Sequence, residues 1–375
     1  MTDTDEGGLA VRHSRRYFLG LAGSAAGAAA FLAACGSEDD PAEVEATSEG
    51  GASATPTATA PAASTATTTA DGGWEYTDAT GATVTLEKAP ERIVAWVGLA
   101  SILYDFGVQS VGIWGPSRDT EGNPTQQAGR MDLDAVESLT NDYSEMNLEA
   151  LAVLRPDVLF VSAYSGTIWP IPEDEVKAIQ QICPVVAIGV NGRPADEIIT
   201  EMEALAATLA APRIEGAEAV VAEAKAEFEA ASEELREIAS ANPGMTVIAL
   251  SPATDVIWIA GWTRLPDLLY FTNLGVAFYS PEEEVNAADY SPQLTWETVN
   301  KYPTDAILLD VRPQWQVAEE DRAGTWQLLP AVQAGQIGGW QAEGVLSYQG
   351  YGPILRTLSE QLRGFSGDVV DEAAA

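Results

Sequence analysis

A long amphipathic helix between two strand-rich regions limits the folds open to this chain. Apolar residues recur at spacings of four and three from Ala217 to Ile238, with glutamate and lysine on the other face, which is typical of a helix with one buried face. We predict a helix from Ile214 to Ala239, roughly 40 Å long at about 1.5 Å per residue, after a break at Ala211-Pro212. We expect the helical segment 194–241 to connect two lobes.

Short apolar runs on both sides of this connector alternate with helical stretches, as in α/β proteins. The runs that we predict to be strands are 92–97, 108–114, 158–161 and 185–188 before the connector, and 246–250, 256–260, 306–309 and 336–340 after it. A hairpin around Asp78-Ala79-Thr80-Gly81 precedes these strands, and a helix from Gly352 to Arg363 follows them.

The alternation predicts the α/β class, with two lobes that have mainly parallel sheets and are joined by one long α-helix. We place the N-terminal lobe at 73–193 and the C-terminal lobe at 242–363, and the chain is long enough for each to have a separate core. The tail 364–375 is acidic and ends in alanines, so we expect it to be disordered.

The first 35 residues have the pattern of an export signal. Arg15 and Arg16 begin a twin-arginine motif, and an alanine- and glycine-rich stretch leads to the lipobox Leu32-Ala33-Ala34-Cys35. This stretch is barely long enough to cross a bilayer and is diluted by small residues. We therefore predict a twin-arginine lipoprotein signal at 1–35, with lipid on Cys35, and a protein attached to the outer face of the cytoplasmic membrane.

Segment 36–72 has no aromatic residue and almost no large aliphatic one. A segment of this composition cannot bury enough apolar surface to fold. We expect it to be a disordered tether between the lipid and the folded lobes.

Composition excludes several classes of function. The formal net charge is −37, and a surface this acidic does not attract nucleic acid. The single histidine, His13, lies in the predicted signal, so the rest of the chain cannot pair a serine or cysteine nucleophile with histidine or build a histidine-containing metal site. Cys183 is the one cysteine besides Cys35; we assign it to the core and expect no internal disulfide. A two-carboxylate glycosidase stays open by composition, but we expect no enzyme and no cofactor.

Two segments, one in each predicted lobe, share a pattern. Glu149 and Glu297 each precede an aspartate by eight residues, and these aspartates, Asp157 and Asp305, each open a predicted strand. We predict that each glutamate lies in the first turn of a short helix, where a carboxylate is favoured. Capping alone explains a single glutamate, whereas a matched pair on two lobes could also engage a two-fold partner.

Several segments occur in a characteristic order. They are Asp78-Ala79-Thr80-Gly81 through Pro90-Glu91-Arg92-Ile93-Val94, then Asn147-Leu148-Glu149 through Pro156-Asp157, the long central helix, and Trp326 through Val332 with Gly335. In this order and spacing, residues 73–363 resemble the substrate-binding proteins of iron-siderophore and cobalamin ABC importers. The resemblance implies two α/β lobes joined by a rigid helix, with a metal chelate bound in the cleft between them.

The resemblance also implies the partners. One glutamate of each lobe, here Glu149 and Glu297, would pair with arginines of a dimeric permease. We expect a monomeric receptor, anchored to the membrane by lipid at Cys35, that delivers a ferric siderophore to an ABC permease. An acidic surface repels an anionic catecholate, so we favour a hydroxamate. A cobalamin or corrinoid receptor of the same family, and a structural or signalling lipoprotein without transport, stay open as alternatives.

Aromatic residues and arginines follow the predicted strands, at the edge where α/β lobes bind ligands. The residues that we predict to bind ligand are Trp96, Trp114, Arg118, Tyr164, Trp262, Arg264, Arg312, Trp315, Trp340 and Tyr348. Rings offer large contact surfaces, and arginines can donate to the oxygens around a chelated metal.

These residues also have structural explanations. Trp96 and Trp114 could close the core of their lobe, Arg264 could pair with Asp267 at a helix end, and Arg118 could form an ion pair on the surface. We assign Trp169 and Trp258 to packing. The role of Tyr143 is left undecided.

Overall fold

The computed structural model describes residues 65–68, 72–143, 146–279, 290–312, 315–318, 322 and 324–374. The predicted signal 1–35 with Cys35 lies outside these residues, as does most of the predicted tether. None of the helices in the described ranges is long and apolar enough to cross a membrane.

The elements follow one another in the alternation that the sequence predicts. The strands are β1 (Thr65–Thr68), β2 (Trp74–Thr77), β3 (Thr83–Leu86), β4 (Ile93–Trp96), β5 (Gly112–Trp114), β6 (Glu137–Ser138), β7 (Val158–Tyr164), β8 (Thr167–Trp169), β9 (Val185–Gly189), β10 (Thr246–Pro252), β11 (Ile257–Ala260), β12 (Ala277–Phe278), β13 (Tyr290–Leu294), β14 (Ala306–Asp310) and β15 (Ile337–Trp340). The α-helices are α1 (Val97–Asp105), α2 (Leu148–Leu154), α3 (Glu173–Ile179), α4 (Ala195–Thr208), α5 (Ala217–Ala241), α6 (Pro266–Asn273), α7 (Pro330–Gln333), α8 (Tyr348–Arg363) and α9 (Val369–Ala374).

A small antiparallel sheet of β1, β2 and β3 precedes the first lobe. The turn between β2 and β3 is the predicted hairpin, and the side chain of Asp78 holds it by accepting from the N–H groups of Thr80 at 2.9 Å and Ala82 at 3.1 Å. The same carboxylate accepts from the N–H of Ala187 in β9 at 3.0 Å, which ties the hairpin to the lobe. Thr65–Thr68, which we expected to be part of the disordered tether, instead pairs with β2.

The sheet of the N-terminal lobe has the order β6-β5-β4-β7-β8, and β9 also pairs with β7. Every pair in it is parallel except the hairpin of β7 and β8. The predicted strand 108–114 is shorter than expected, because β5 begins only at Gly112.

The sheet of the C-terminal lobe has the order β13-β11-β10-β14-β15, and β12 also pairs with β10. Pairs among β12, β10, β14 and β15 are parallel, whereas β11 and β13 run antiparallel. The lobes repeat one arrangement, with β4 between β5 and β7 in the first and β10 between β12 and β14 in the second. The α/β class with mainly parallel sheets and one long helix is therefore confirmed.

Asp157 and Asp305 have matching structural roles in the two lobes. Asp157 Oδ2 accepts from the N–H groups of Glu91 and Arg92, both at 2.9 Å, just before β4. Asp305 Oδ2 accepts from the N–H and the hydroxyl of Thr246, both at 2.8 Å, at the start of β10. Each aspartate thus fixes the start of its own strand against the neighbouring strand.

One apolar cluster runs through both lobes, which corrects our expectation of two separate cores. Helix α5 packs along α8. From α5, the ring of Phe228 stacks on Tyr270 of α6 at 5.5 Å and lies 5.4 Å from the ring of Tyr348 in α8. The connecting helix buries its apolar face against other helices, so the core continues from one lobe into the other. A second cluster, which includes Trp296 and Trp326, belongs to the C-terminal lobe alone.

Polar contacts join the lobes beside this core. The buried carboxylate of Asp105, at the end of α1, accepts from Ser347 Oγ at 2.5 Å and from Arg130 Nη2 at 2.9 Å. Gln349, in the first turn of α8, donates to the backbone oxygen of Asp105 at 2.8 Å. The start of α8 is therefore held by the end of α1.

The tail, which we expected to be disordered, contacts the C-terminal lobe. The N–H of Val370 in α9 donates to Asp305 Oδ1 at 3.1 Å. The side chain of Gln336 bonds both the N–H of Ser366, at 2.6 Å, and its carbonyl oxygen, at 2.9 Å. These contacts use backbone groups of the tail, so its acidic, alanine-rich composition did not indicate them.

Removing the Asp305 carboxylate should destabilise the C-terminal lobe, because the side chain is buried and two donors of Thr246 and one of Val370 lose their acceptor. We expect Asp305→Ala to lower the free energy of unfolding by about 2–4 kcal/mol in urea denaturation. Glu360→Ala, an exposed position on α8, should change it by less than about 0.5 kcal/mol. Equal losses in the two variants would contradict this role of Asp305.

Candidate functional site

Four aromatic rings of the N-terminal lobe form a cluster near the C-terminal ends of its strands. Trp96 ends β4, Tyr164 ends β7, Trp169 ends β8, and Tyr143 lies in the loop before α2. The ring of Trp169 lies 5.4 Å from Tyr164, 5.8 Å from Trp96 and 5.9 Å from Tyr143 between centroids. Within this aromatic cluster Tyr143 is 44% exposed and Trp169 is 40% exposed, so both offer ring surface to a ligand.

Trp96, a predicted ligand contact, is only 4% exposed and packs against Trp114 and Gly115. The rings of Trp96 and Trp114 meet edge to face at 4.7 Å. Gly115 has a φ of +104°, and a Cβ at this position would lie 2.3 Å from the Trp96 ring, so only glycine fits there. Trp114 is 1% exposed, which corrects its predicted ligand contact: it packs beneath Trp96, as the alternative explanation had it.

Arg312 of the C-terminal lobe is held by two carboxylates. Asp310, which ends β14, is fully buried and accepts from Arg312 Nε at 3.0 Å and Nη2 at 2.6 Å. Ser251 Oγ donates to the same carboxylate at 2.8 Å. Glu343 Oε1 lies 2.6 Å from Arg312 Nη1, and the Glu343 side chain is 43% exposed. We call Asp310, Arg312 and Glu343 the Arg312 network; with two carboxylates and one guanidinium it carries one net negative charge.

The aromatic cluster and the Arg312 network approach each other where the lobes meet. Partial burial and the charge of Glu343 raise the pKa of Tyr143, while the charge of Arg312 opposes this shift. Beside this point Gln126 Nε2 donates to the carbonyl oxygen of Ala342 at 2.6 Å, which links the lobes next to Glu343. Rings on one lobe and an ion network on the other thus lie at the boundary between the lobes.

Arg264 forms a second link between the lobes. Its guanidinium donates to the hydroxyl of Ser165, the residue after Tyr164. Its backbone oxygen accepts from the N–H of Gly192 at 2.7 Å. Arg264 thus lies next to the aromatic cluster. The alternative that Arg264 pairs with Asp267 is not supported by the hydrogen bonds of Asp267, which accepts from Trp340 and Leu268.

Trp340, predicted to line the cleft, is instead buried in the C-terminal lobe. Its indole Nε1 donates to Asp267 Oδ2 at 2.7 Å, and Asp267 Oδ1 accepts from the N–H of Leu268 at 2.9 Å at the start of α6. Burial raises the pKa of Asp267 to about 6, although these hydrogen bonds act to lower it. The strand end that we read as a ligand contact is therefore a core contact.

Tyr348 and Arg118 also lie apart from the aromatic cluster. Tyr348 is buried, and its hydroxyl donates to Glu203 of α4 at 2.7 Å. Arg118 pairs with Asp134 at 2.8 Å, which agrees with the alternative of a surface ion pair. Arg118 also lines an open cavity of about 530 Å³ in the N-terminal lobe, and none of the residues that line it belongs to the aromatic cluster.

Trp262 and Trp315 follow β11 and β14 in the C-terminal lobe, and both are half-buried. The backbone N–H of Trp315 donates to the carbonyl oxygen of Arg312 at 2.9 Å. Its indole N–H is buried and has no hydrogen-bond partner among the described residues. Trp315 is therefore placed close to the Arg312 network.

The site contains three residues that the sequence did not indicate. Trp169, assigned to packing, is a central and exposed member of the aromatic cluster, which corrects that assignment. Tyr143 was undecided, and Glu343 was not considered at all. The sequence could have indicated Trp169, because this tryptophan follows the short polar turn after Tyr164. Glu343 is 31 positions beyond Arg312 in the chain, so only the fold brings these two residues together.

Glu149 and Glu297 are both exposed on their lobes. Asn147 caps α2 by accepting from the N–H of Ala150 at 3.0 Å, which places Glu149 in the first helical turn as predicted. Glu297 lies in a turn before a 3₁₀ helix at Val299–Lys301, not in a short α-helix, and this corrects the expected local structure. Hydrogen bonds from Thr295 and from its own backbone lower the pKa of Glu297, so its carboxylate stays charged.

The sequence matches the periplasmic binding protein family over residues 99–343. The solved structure of DesE, a ferric-siderophore receptor protein from Streptomyces coelicolor, is 37% identical; the match covers 78% of this chain and 99% of DesE with a TM-score of 0.69. The chain belongs to the periplasmic binding protein family. The resemblance to binding proteins of iron-siderophore and cobalamin importers is therefore confirmed.

More distant periplasmic binding proteins share the fold. The siderophore periplasmic binding protein from the fuscachelin gene cluster of Thermobifida fusca is 19% identical, with 74% of this chain and 98% of that chain covered and a TM-score of 0.54. PiaA from Streptococcus pneumoniae, solved in complex with ferrichrome, is 16% identical, with 79% and 98% covered and a TM-score of 0.55. No curated protein sequence matches the chain.

The raised pKa of Asp267 should make stability depend on pH. Its value of about 6 in the folded protein exceeds the ordinary value of 3.8, so its contribution to stability is fully present below about pH 4 and is lost as the pH rises through about 6. Asp267→Asn keeps an acceptor for Trp340 and removes this titration. From pH 4 to pH 7 we expect the free energy of unfolding of the wild type to fall by about 2–3 kcal/mol relative to the variant.

Urea denaturation of both proteins at pH 4, 5.5 and 7 measures this difference. Carboxylates that both proteins share cancel in the comparison. A difference that is the same at all three pH values would contradict a raised pKa for Asp267.

Proposed function

We propose that this periplasmic binding protein is a lipid-anchored receptor that captures a ferric siderophore between its lobes and delivers it to an ABC permease. The observation that carries the proposal is the exposed aromatic cluster of one lobe beside the Arg312 network of the other. The 37% identity to DesE, a ferric-siderophore receptor protein, supports the ligand class. The lipid anchor rests on the sequence pattern that ends at Cys35.

The proposed contacts divide between rings and cations. Tyr143, Tyr164 and Trp169 would pack against the organic shell of the chelate, with Trp262 and Trp315 on the other lobe. Arg264 and Arg312 would donate to the oxygens that surround the iron. Trp96 and Trp114, which are both buried, would support these rings from the core. Trp340 and Tyr348 are also buried, and they lie apart from the aromatic cluster.

The charge of the protein supports a hydroxamate over a catecholate ligand. The formal net charge is −37, and the carboxylates of Asp310 and Glu343 outnumber the guanidinium that they hold. A triply anionic ferric catecholate would meet repulsion both at long range and in the cleft. A neutral or cationic ferric hydroxamate would not.

Binding of a ferric hydroxamate should quench tryptophan fluorescence, because the iron chelate would lie against Trp169, whose ring is 5.8 Å from that of Trp96. We expect saturable quenching with ferrioxamine B and little response to a ferric catecholate or to cobalamin. Trp169→Ala should weaken ferrioxamine B binding by about tenfold, in line with the loss of one aromatic contact. Tyr279→Ala, also 40% exposed but in contact with Tyr302, should leave it unchanged.

The outcome of this titration discriminates between ligand classes. Cobalamin binding without hydroxamate binding would favour the corrinoid receptor. No response to any of the three compounds would favour a lipoprotein without a transport function.

Delivery to the permease is proposed to use Glu149 and Glu297. Both carboxylates are exposed, and each has an exposed apolar neighbour. Val153 lies one turn after Glu149 on α2 and is highly exposed. Leu328, also highly exposed, ends a 3₁₀ helix that packs on the one following Glu297. Each lobe thus presents a carboxylate beside apolar surface, which fits a two-fold or pseudo-two-fold partner with basic residues.

Loss of both docking carboxylates should separate uptake from binding. In Glu149→Ala with Glu297→Ala we expect unchanged affinity for the chelate and loss of radiolabelled iron uptake in cells that depend on this receptor. The matched control is Glu87→Ala with Glu360→Ala, which removes one exposed carboxylate from each lobe elsewhere. Normal uptake by the first double variant would refute the docking assignment.

A further inference from the structure

We infer that the cleft selects chelates that carry a positive charge, and that Glu343 is the residue that recognises this charge. The inference rests on the proposed function and narrows its ligand class. It concerns the ionic state of the ligand, which neither the fold nor the likeness to other receptors determines.

The first argument is the charge balance of the Arg312 network. Asp310 is fully buried and accepts from Arg312 and from Ser251, so its charge is compensated within the protein. Arg312 has one positive charge, which Asp310 already balances. The charge of Glu343 is therefore in excess, and its side chain is 43% exposed at the boundary between the lobes.

The second argument is the position of Glu343 relative to the exposed rings. Ala342, the residue before Glu343, accepts from Gln126 Nε2 of the other lobe at 2.6 Å, which places Glu343 where the lobes meet. Burial raises the pKa of Tyr143 and the charge of Glu343 adds to this shift, and Tyr143 contacts Trp169, so the carboxylate acts on the exposed part of the aromatic cluster. Aromatic faces attract cations, and a carboxylate beside them adds direct pairing.

The third argument is the orientation that this arrangement imposes on a ligand. Arg264, bonded to Ser165 next to Tyr164, offers a cation to the oxygens of the iron centre. Glu343, paired with Arg312 where the lobes meet, offers an anion. A chelate with an electron-rich iron centre and a pendant ammonium group matches both, whereas a uniformly anionic chelate matches only the first.

A pair of ligands that differ only in this charge tests the inference. Ferrioxamine B has a pendant ammonium, and its N-acetylated form has the same iron-hydroxamate centre without that charge. We expect the wild type to bind ferrioxamine B about three- to tenfold more tightly, as for a partly exposed ion pair. The preference should shrink when salt is raised to about 1 M.

The Glu343→Gln variant should bind the two ligands with equal affinity. Its midpoint of urea denaturation, compared with that of the wild type, reports that the variant is folded. Glu360→Gln, which removes one exposed carboxylate of α8, should keep the full preference.

The possible failures are distinguishable. Equal binding of both ligands by the wild type, or a preference that survives in Glu343→Gln, overturns the role of Glu343 and leaves the receptor function standing. A wild type that binds neither ligand overturns the hydroxamate proposal and this inference together.

Discussion

The packing of α5 against α8 is the constraint on which the rest of this structure depends. Phe228 of α5 contacts rings of both α6 and α8, and the apolar cluster around it continues into the N-terminal lobe. Separating the lobes would expose this surface to water at a cost of roughly 25 cal/mol for each Å². The lobes therefore hold a fixed relation, and the hydrogen bonds of Asp105 and Gln126 to the C-terminal lobe reinforce it.

A fixed relation between the lobes would make the proposed binding surface preformed. Ligand binding would then cost little in ordering of the protein, which favours affinity. Selectivity would depend on the chemistry of side chains that are already in place. The Arg312 network shows how such chemistry arises from folding requirements: Asp310 ends a buried strand and needs a cation, Arg312 supplies it, and Glu343 binds the remaining side of the guanidinium.

The sequence was sufficient to predict the architecture, because strand and helix periodicities are local properties. The predicted helix from Ile214 corresponds to α5, and the runs at 158–161 and 306–309 correspond to β7 and β14. The matched aspartates also indicated real equivalence between the lobes, as their hydrogen bonds show. These features depend on residues that are near one another in the chain or on a repeated spacing.

The site was less predictable, because it depends on contacts between distant residues. A tryptophan at a strand end can point to the core or to the cleft, and nothing local distinguishes Trp340, which is buried, from Trp169, which is exposed. The pairing of Arg312 with Glu343, in the loop between β15 and α8, could be assigned only from the folded structure. The sequence indicated the edge of the sheets where the aromatic cluster and the Arg312 network lie, but not which aromatic residues at that edge are exposed.

The hairpins β7–β8 and β10–β11 explain how two lobes with the same arrangement of parallel strands present different side chains to each other. In the N-terminal lobe the hairpin extends β7, and its second strand brings Trp169 to the aromatic cluster. In the C-terminal lobe the hairpin extends β10, and the residues after β11 bring Arg264 to Ser165. The shared strands preserve the equivalence of Glu149 and Glu297 on the outside, whereas the differently placed hairpins provide rings on one lobe and a cation on the other. The repeated parallel strands thus account for the matched exterior, and the differently placed antiparallel strand of each lobe accounts for the asymmetric interior, an asymmetry that would suit the proposed chelate with two distinct ends.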